Sequence, residues 1–346
     1  MSDISFKMTV ATNVGLVRTN NEDNFIVNPD LTKPNNWYVP SSSNEVLSLG
    51  ADGCVMVVAD GMGGMNAGEV ASEIAVNHIK EAFSKVKDFS KIHDCSNHVE
   101  AFLKECIVNA DAAIKKRVHE DPETSGMGTT IVVAWIVGNI AHVAWCGDSR
   151  AYSFNRSSGL SRLTKDHSYV QQLVDSGQLD PELAFDHPNS NIITRSLGDS
   201  ASKAKPDYVC KRISEGDYIL LCTDGLCGLV RDDETLDILM RPDIGLEGYR
   251  QALFSAAFEA GGYDNVTIAL FECVGMKEDE DSFGGKTLSP DEMEKKKRSK
   301  KNGRMLKVII AIVAVLLILA AAVFLLDIVT IGEAGNIQFN LKSISL

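Results

Sequence analysis

The chain has no two cysteines at CxxC spacing, so a zinc site of the usual kind is not supported. Its eight cysteines (54, 95, 106, 146, 210, 222, 227 and 273) are scattered, several inside apolar runs where a thiol acts as a small hydrophobe. A reducing, cytosolic compartment fits them. The opening MSDISFKMTV has neither a basic stretch nor an apolar core of the secretory type, and no signal peptide is expected. No internal repeat is visible. Positive charge is scarce: 34 Lys and Arg stand against 47 Asp and Glu, a formal net charge of −13. Much of that basic charge sits in one short stretch, which leaves the remainder more acidic still. A broad nucleic-acid face is thereby excluded.

Charge is missing altogether from Val308 to Leu326, and KKKRSKKNGRMLK lies just upstream. A helix of roughly 20 apolar residues spans a bilayer. The reading is a transmembrane helix over 305–326, with everything before Lys295 on the cytoplasmic side and a short tail, 327–346, outside. This single-pass topology places the globular body in the cytoplasm. The basic cluster suits anionic lipids of the inner leaflet; a solvated flank that only sets topology is the plainer alternative. The span carries no charge and no GxxxG pair, so nothing marks it as a sensor. Residues 276–304 read as a charged linker, and residues 1–275 as a body able to bury a large core.

Within the body, short β-type runs recur at 55–59, 129–137, 140–145, 218–222 and 266–271. Gly138-Asn139 between two of them signals a tight hairpin, hence antiparallel pairing. Apolar positions at helical spacing predict helices over 69–83 and 99–118, and a third over 249–260 ended by Gly261-Gly262. Strands and helices mix without strict alternation, which points to an α+β fold with helices outside antiparallel sheets. Residues 28–50 read as a polar loop insertion, and 165–192 as a surface excursion.

The aspartates are informative by position. Asp60, Asp148, Asp224 and Asp264 all sit at the ends of apolar runs beside Gly or Asn. Alone, each is an ordinary turn or capping residue. Gathered together, they would repel one another unless a hard cation such as Mg2+ or Mn2+ neutralised them. The segment Arg18-Thr-Asn-Asn-Glu22-Asp23 adds two carboxylates and an Arg shaped for phosphate.

Nine short segments, in order, resemble the metal-dependent protein Ser/Thr phosphatases of the PP2C type, bacterial branch. They are GLVRTNNEDNF, VMVVADGMGG, AGEVAS, GMGTT, CGDSRAY, LTKDHS, ITRSLGD, LLCTDGL and DNVT, and they span nearly the whole body. The resemblance implies a four-layer α-β-β-α sandwich of two antiparallel sheets flanked by helices. It implies a centre of two Mn2+ or Mg2+ ions, with a third bound more loosely. In that pattern Asp60 bridges the ions, Gly61 offers its backbone carbonyl, and Asp224 and Asp264 are direct ligands. Glu22 and Asp23 act mainly through water, Asp148 matches a ligand of the third ion, and Arg18 clamps the substrate phosphate. A hydroxide between the two metals would attack phosphorus without a phospho-enzyme, so Cys222 and Cys227 read as packing residues. The substrates implied are phosphorylated proteins, opposed to a cognate Ser/Thr kinase. The alternative is a catalytically weak module that keeps the fold for binding at the membrane. Gly228 stands where many relatives carry a further Asp, which bears on the third ion. His167 is a family-typical position read as structural, and 165–192 correspond to the family's variable flap.

Overall fold

A strand covered on both faces needs apolar side chains at every position, not at alternate ones. Residues 54–59, 131–137 and 218–222 meet that demand, and nearly all their side chains are out of contact with water. The structure is a computed structural model that describes residues 3–63, 67–242, 244–277, 329–331 and 337–339. The chain divides into two compact units, Met1–Asp279 and Glu280–Leu346.

The strands of the first unit are β1 (Asp3–Asn13), β2 (Asn24–Asn28), β3 (Leu47–Ser48), β4 (Cys54–Ala59), β5 (Gly61–Met62), β6 (Gly128–Thr129), β7 (Ile131–Val137), β8 (Ile140–Cys146), β9 (Arg150–Asn155), β10 (Gly159–Arg162), β11 (Asp207–Arg212), β12 (Tyr218–Cys222) and β13 (Val266–Lys277). The helices are α1 (Ala67–Ser84), α2 (Ser90–His93), α3 (Ser96–Glu120), α4 (Tyr169–Asp175), α5 (Asp224–Cys227), α6 (Asp232–Leu239) and α7 (Gly245–Glu259). One sheet runs β10-β9-β12-β13-β1-β3 and the other β11-β8-β7-β4-β2, with antiparallel neighbours throughout.

Three layers of core follow from the side-chain alternation. Phe6, Met8, Met56, Val58, Ile219 and Phe271 meet between the sheets. Val55, Val57, Val133 and Trp135 turn outward to Ile79, Phe83, Leu103 and Ile107 of α1 and α3. On the other side Tyr218, Leu220 and Leu270 pack on Leu239, Tyr249 and Leu253 of α6 and α7. This is the expected α-β-β-α sandwich.

The run 129–137 is not one strand. Thr130 breaks it, because its backbone N–H donates to the Asp60 carbonyl at 2.9 Å, while Gly128–Thr129 pairs with Gly61–Met62. Strand β13 also runs past the expected end of the body, since Met276 and Lys277 lie opposite Ile4 and Asp3 of β1. The insertion 28–50 is a loop with one short edge strand, β3; it buries Leu31, and its Trp37 indole donates to Ser84 Oγ of α1. In the second unit Val329–Ile331 pairs antiparallel with Ile337–Phe339. Among the described residues no helix is long and apolar enough to cross a membrane; the span read at 305–326 lies outside them, as does most of the 276–304 linker.

Candidate active site

Both sheets end at the same edge of the sandwich, and their chain reversals carry the aspartates. Asp60 follows β4, and its backbone is fixed on both sides: its carbonyl accepts from Thr130 N and from Thr129 Oγ1 at 2.7 Å, and its N–H donates to Thr130 Oγ1 at 3.2 Å. Asp148 follows β8 after Gly147, whose φ of +124° suits glycine. From the facing sheet, Asp224 opens α5 directly after β12, and Asp264 stands one residue before Asn265 and β13. A Cβ on Gly225 would lie 1.9 Å from the Asn265 carbonyl oxygen, so only glycine lets α5 seat against this turn.

Asn265 organises the other half of the site. Its Nδ2 donates to the carbonyls of Val14 and Asn20, each at 2.9 Å, and its Oδ1 accepts from Glu22 N at 2.8 Å. The loop 14–22 is thereby closed over one side chain. Arg18 at its tip donates from Nη2 to Asp264 Oδ2 at 2.7 Å and stays half exposed. Asp23 is buried; its Oδ2 accepts from Thr223 Oγ1 at 2.9 Å and Thr267 Oγ1 at 2.6 Å.

These carboxylates fit a divalent cation. Asp23 Oδ1, Asp148 Oδ1 and Asp224 Oδ1 are buried and have no hydrogen-bond partner. Such orphaned oxygens are costly to a fold. Burial raises the pKa of Asp60, Asp148 and Asp224, and the repulsion of neighbouring aspartates adds to it. Asp23 is pushed up to about 7, by burial first and then by Asp224 and Asp264, against the pull of its two threonines. Glu22 is raised by burial, partly offset by Arg18. Among the described residues no basic side chain forms an ion pair with Asp23, Asp60, Asp148 or Asp224. Crowded, unpartnered oxygen ligands out of water are what hard divalent ions bind.

The Protein phosphatase 2C family pattern matches residues 13–242. Protein phosphatase PhpP of Streptococcus pneumoniae is 35% identical over 274 residues, which cover 79% of this chain and 99% of that protein. Serine/threonine protein phosphatase PstP of Mycobacterium tuberculosis is 33% identical over 75% of this chain and 43% of its own length. The structure of the PstP catalytic domain in complex with two manganese ions is 28% identical, covers 80% of this chain and all of that one, and superposes with a TM-score of 0.61. This chain belongs to the protein phosphatase 2C family. It is an enzyme, a metal-dependent protein serine/threonine phosphatase.

All eight residues read from the sequence lie around this one edge of the phosphatase. His167 is structural, as expected: its Nδ1 accepts from Gly147 N at 3.1 Å and its Nε2 contacts Asp207 Oδ2 at 3.1 Å, pinning the turn before Asp148. Several supports were assigned no role from sequence. Asn265, Thr223 and Thr267 hold the Arg18 loop and Asp23. Arg150 of the CGDSRAY segment donates to both carboxylate oxygens of Asp166 from LTKDHS, and so ties β9 to the base of the flap. A polar residue inside an apolar buried run, such as Thr267 in Val266–Phe271, is the signal that would have found them, because it must reach a partner.

Residues 165–192 contain α4 and form one wall of a cleft of about 560 Å3. The α5–α6 connection, with Gly228, forms the other, and Asp148, Asp224 and Asp264 line it.

Proposed function

We propose that this enzyme is a membrane-anchored phosphatase that hydrolyses phosphoserine and phosphothreonine in proteins by direct attack of water between two divalent ions. The observation that carries the reading is the convergence of buried, orphaned carboxylate oxygens beside a half-exposed arginine. Asp60, the Gly61 carbonyl, Asp224 and Asp264 would hold two Mn2+ or Mg2+ ions. Glu22 and Asp23 would act mainly through water, and Asp148 would bind a looser third ion; at Gly228 the chain offers that ion no further carboxylate. Bound there, two such ions would supply a water of lowered pKa and would polarise the phosphoryl oxygens.

The protein's own groups do the rest. Arg18 uses only Nη2 on Asp264, which leaves N–H donors free to receive equatorial phosphate oxygens, where charge accumulates. Asn265 fixes the loop that aims this guanidinium. Thr223 and Thr267 orient Asp23 by holding one of its oxygens, so that the other faces the site. No cysteine nucleophile is called for. The Cys227 thiol donates to the backbone carbonyls of Thr223 at 3.5 Å and Asp148 at 3.9 Å; the neighbouring Cys222 thiol and burial push it well up, and it serves packing.

The charge-free run 308–326 and the basic stretch before it support a single-pass anchor with the body in the cytoplasm and the C-terminus outside. A Ser/Thr kinase at the same membrane would be the natural opponent, with anionic lipid contacting the basic stretch.

The test is turnover of a phosphothreonine peptide by the full chain with Mn2+, with EDTA, and in Asp60→Asn and Asp224→Asn. Turnover that needs metal and vanishes in both variants is expected; none from folded, metal-replete protein would overturn the reading. Deleting 305–326 should move the chain out of the membrane fraction, and retention there would overturn the anchor.

A further inference from the structure

The cleft beside the ligand cluster has a charge that the chemistry described above does not use. Its volume of about 560 Å3 falls in the range of ligand pockets, about 300–1,000 Å3. Its lining includes three of the aspartates of the metal site, Asp148, Asp224 and Asp264, so whatever fills it lies next to that site.

Three arginines line this cleft, and all are engaged. Arg150 grips Asp166 through two nitrogens, and Arg162 Nη1 lies 3.6 Å from the same carboxylate. Arg231 pairs with Asp186 of the flap, and its guanidinium stacks 4.3 Å over the Phe185 ring. These arginines brace the flap against the α5–α6 connection and have little charge left to offer. Two acids of the lining are different. Glu182 on the flap wall and Asp233 at the start of α6, beyond the other wall, both line the cleft, are exposed, and have no cationic partner among the described residues.

Resting on the phosphatase reading, we infer that this cleft takes the substrate segment flanking the phosphorylated residue and selects lysine or arginine there through Glu182 and Asp233. A cleft whose own cations are paired, and whose lining carries two exposed and unpaired acids, is complementary to a basic side chain and repels an acidic one. An exposed charge pair is weak and screened by salt, so the selection is modest and sensitive to ionic strength.

The experiment compares a phosphothreonine peptide flanked on both sides by lysine with forms carrying glutamine or glutamate instead. The enzyme is the full chain with Mn2+, and p-nitrophenyl phosphate, which has no flanking residues, is the control. The expected order of kcat/KM is lysine, glutamine, glutamate, with about fivefold between the first two at low salt, and the gap should close near about 0.5 M salt. The Glu182→Gln, Asp233→Asn double variant should hydrolyse the three peptides alike while keeping p-nitrophenyl phosphate turnover. Equal rates in the unaltered enzyme, or a lysine preference that survives in the double variant, would overturn the inference. Failure to hydrolyse p-nitrophenyl phosphate as well would overturn the phosphatase reading and the inference with it.

Discussion

Asp111 and Asp148 are both taken out of water, 2% and 7% exposed, yet their surroundings are opposite. Asp111, on α3, accepts from Gly198 N at 2.9 Å, Ala204 N at 3.0 Å and Lys115 Nζ at 2.8 Å. It is a staple that ties the LGD segment of 193–199 and the chain beyond it to the helix. Asp148 keeps a buried oxygen without any partner and faces Asp224 and Asp60. A fold that satisfies one buried acid three times over and starves another nearby is not short of donors. The starved oxygens mark where something outside the chain belongs.

The contrast breaks most sharply in activity. Asp60→Asn and Asp224→Asn should each lower kcat by on the order of 10³-fold, as loss of a main electrostatic partner does, while leaving the metal-free protein folded. Steady-state turnover beside a urea melt in EDTA checks both halves. Variants that unfold would place these residues with Asp111 instead.

Asp111→Ala should do the reverse. It leaves Gly198 N and Ala204 N without their acceptor, while Lys115 keeps the Ser202 carbonyl, and stranding buried donors costs about 1–3 kcal/mol. Denaturant melts should show that loss, with the folded fraction still turning over substrate. A drop within measurement error would mean that the LGD segment is held by other contacts.

Adding Mn2+ sharpens the comparison further. A ligand that binds only the folded state at one hundred times its Kd stabilises it by about 2.7 kcal/mol. That gain should appear in the unaltered chain and in Asp111→Ala, and disappear in Asp60→Asn. A similar gain in Asp60→Asn would locate the metal elsewhere.

The two populations of acid were not equally readable from sequence. The site aspartates stand out because each interrupts an apolar run beside Gly or Asn, and the runs are apolar throughout because both faces are covered. Strand β1 carries Ile4, Phe6, Met8 and Val10 at alternate positions and so lacks the continuous apolar run that marks β4, β7 and β12 in the sequence. The break at Thr130 could not be read locally, since its cause is a carbonyl far away in sequence, on Asp60. Convergence is of the same kind: Asp148 and Asp264 come from opposite sheets, and only the sandwich brings their turns to one edge. Asp111 looks like any charged residue on a helix, and nothing nearby in sequence announces that Gly198 and Ala204 will need it. Likewise Asn265 lies in a recognisable DNVT segment, but its grip on loop 14–22 is visible only in three dimensions.

Protonation gives the last test, and it lies away from the metal site. His142 on β8 is buried, with Nδ1 2.7 Å from the Tyr208 hydroxyl and its ring against Trp135. Burial, helped slightly by His93, lowers its pKa from 6.5 to about 4. The unfolded chain therefore takes up a proton near pH 6.5 that the folded chain refuses until about pH 4. Stability from this residue is complete above pH 6.5 and is lost as the pH falls through that window, by at most about 1.4 kcal/mol per pH unit. Other groups titrate there too, so the informative quantity is the difference between the unaltered chain and His142→Phe, both melted in EDTA. The variant should lack this acid loss, making the difference curve slope between pH 6.5 and 4 and lie flat above. A difference that is flat throughout would mean that the imidazole is protonated in the folded state and reaches water or an acceptor beyond Tyr208.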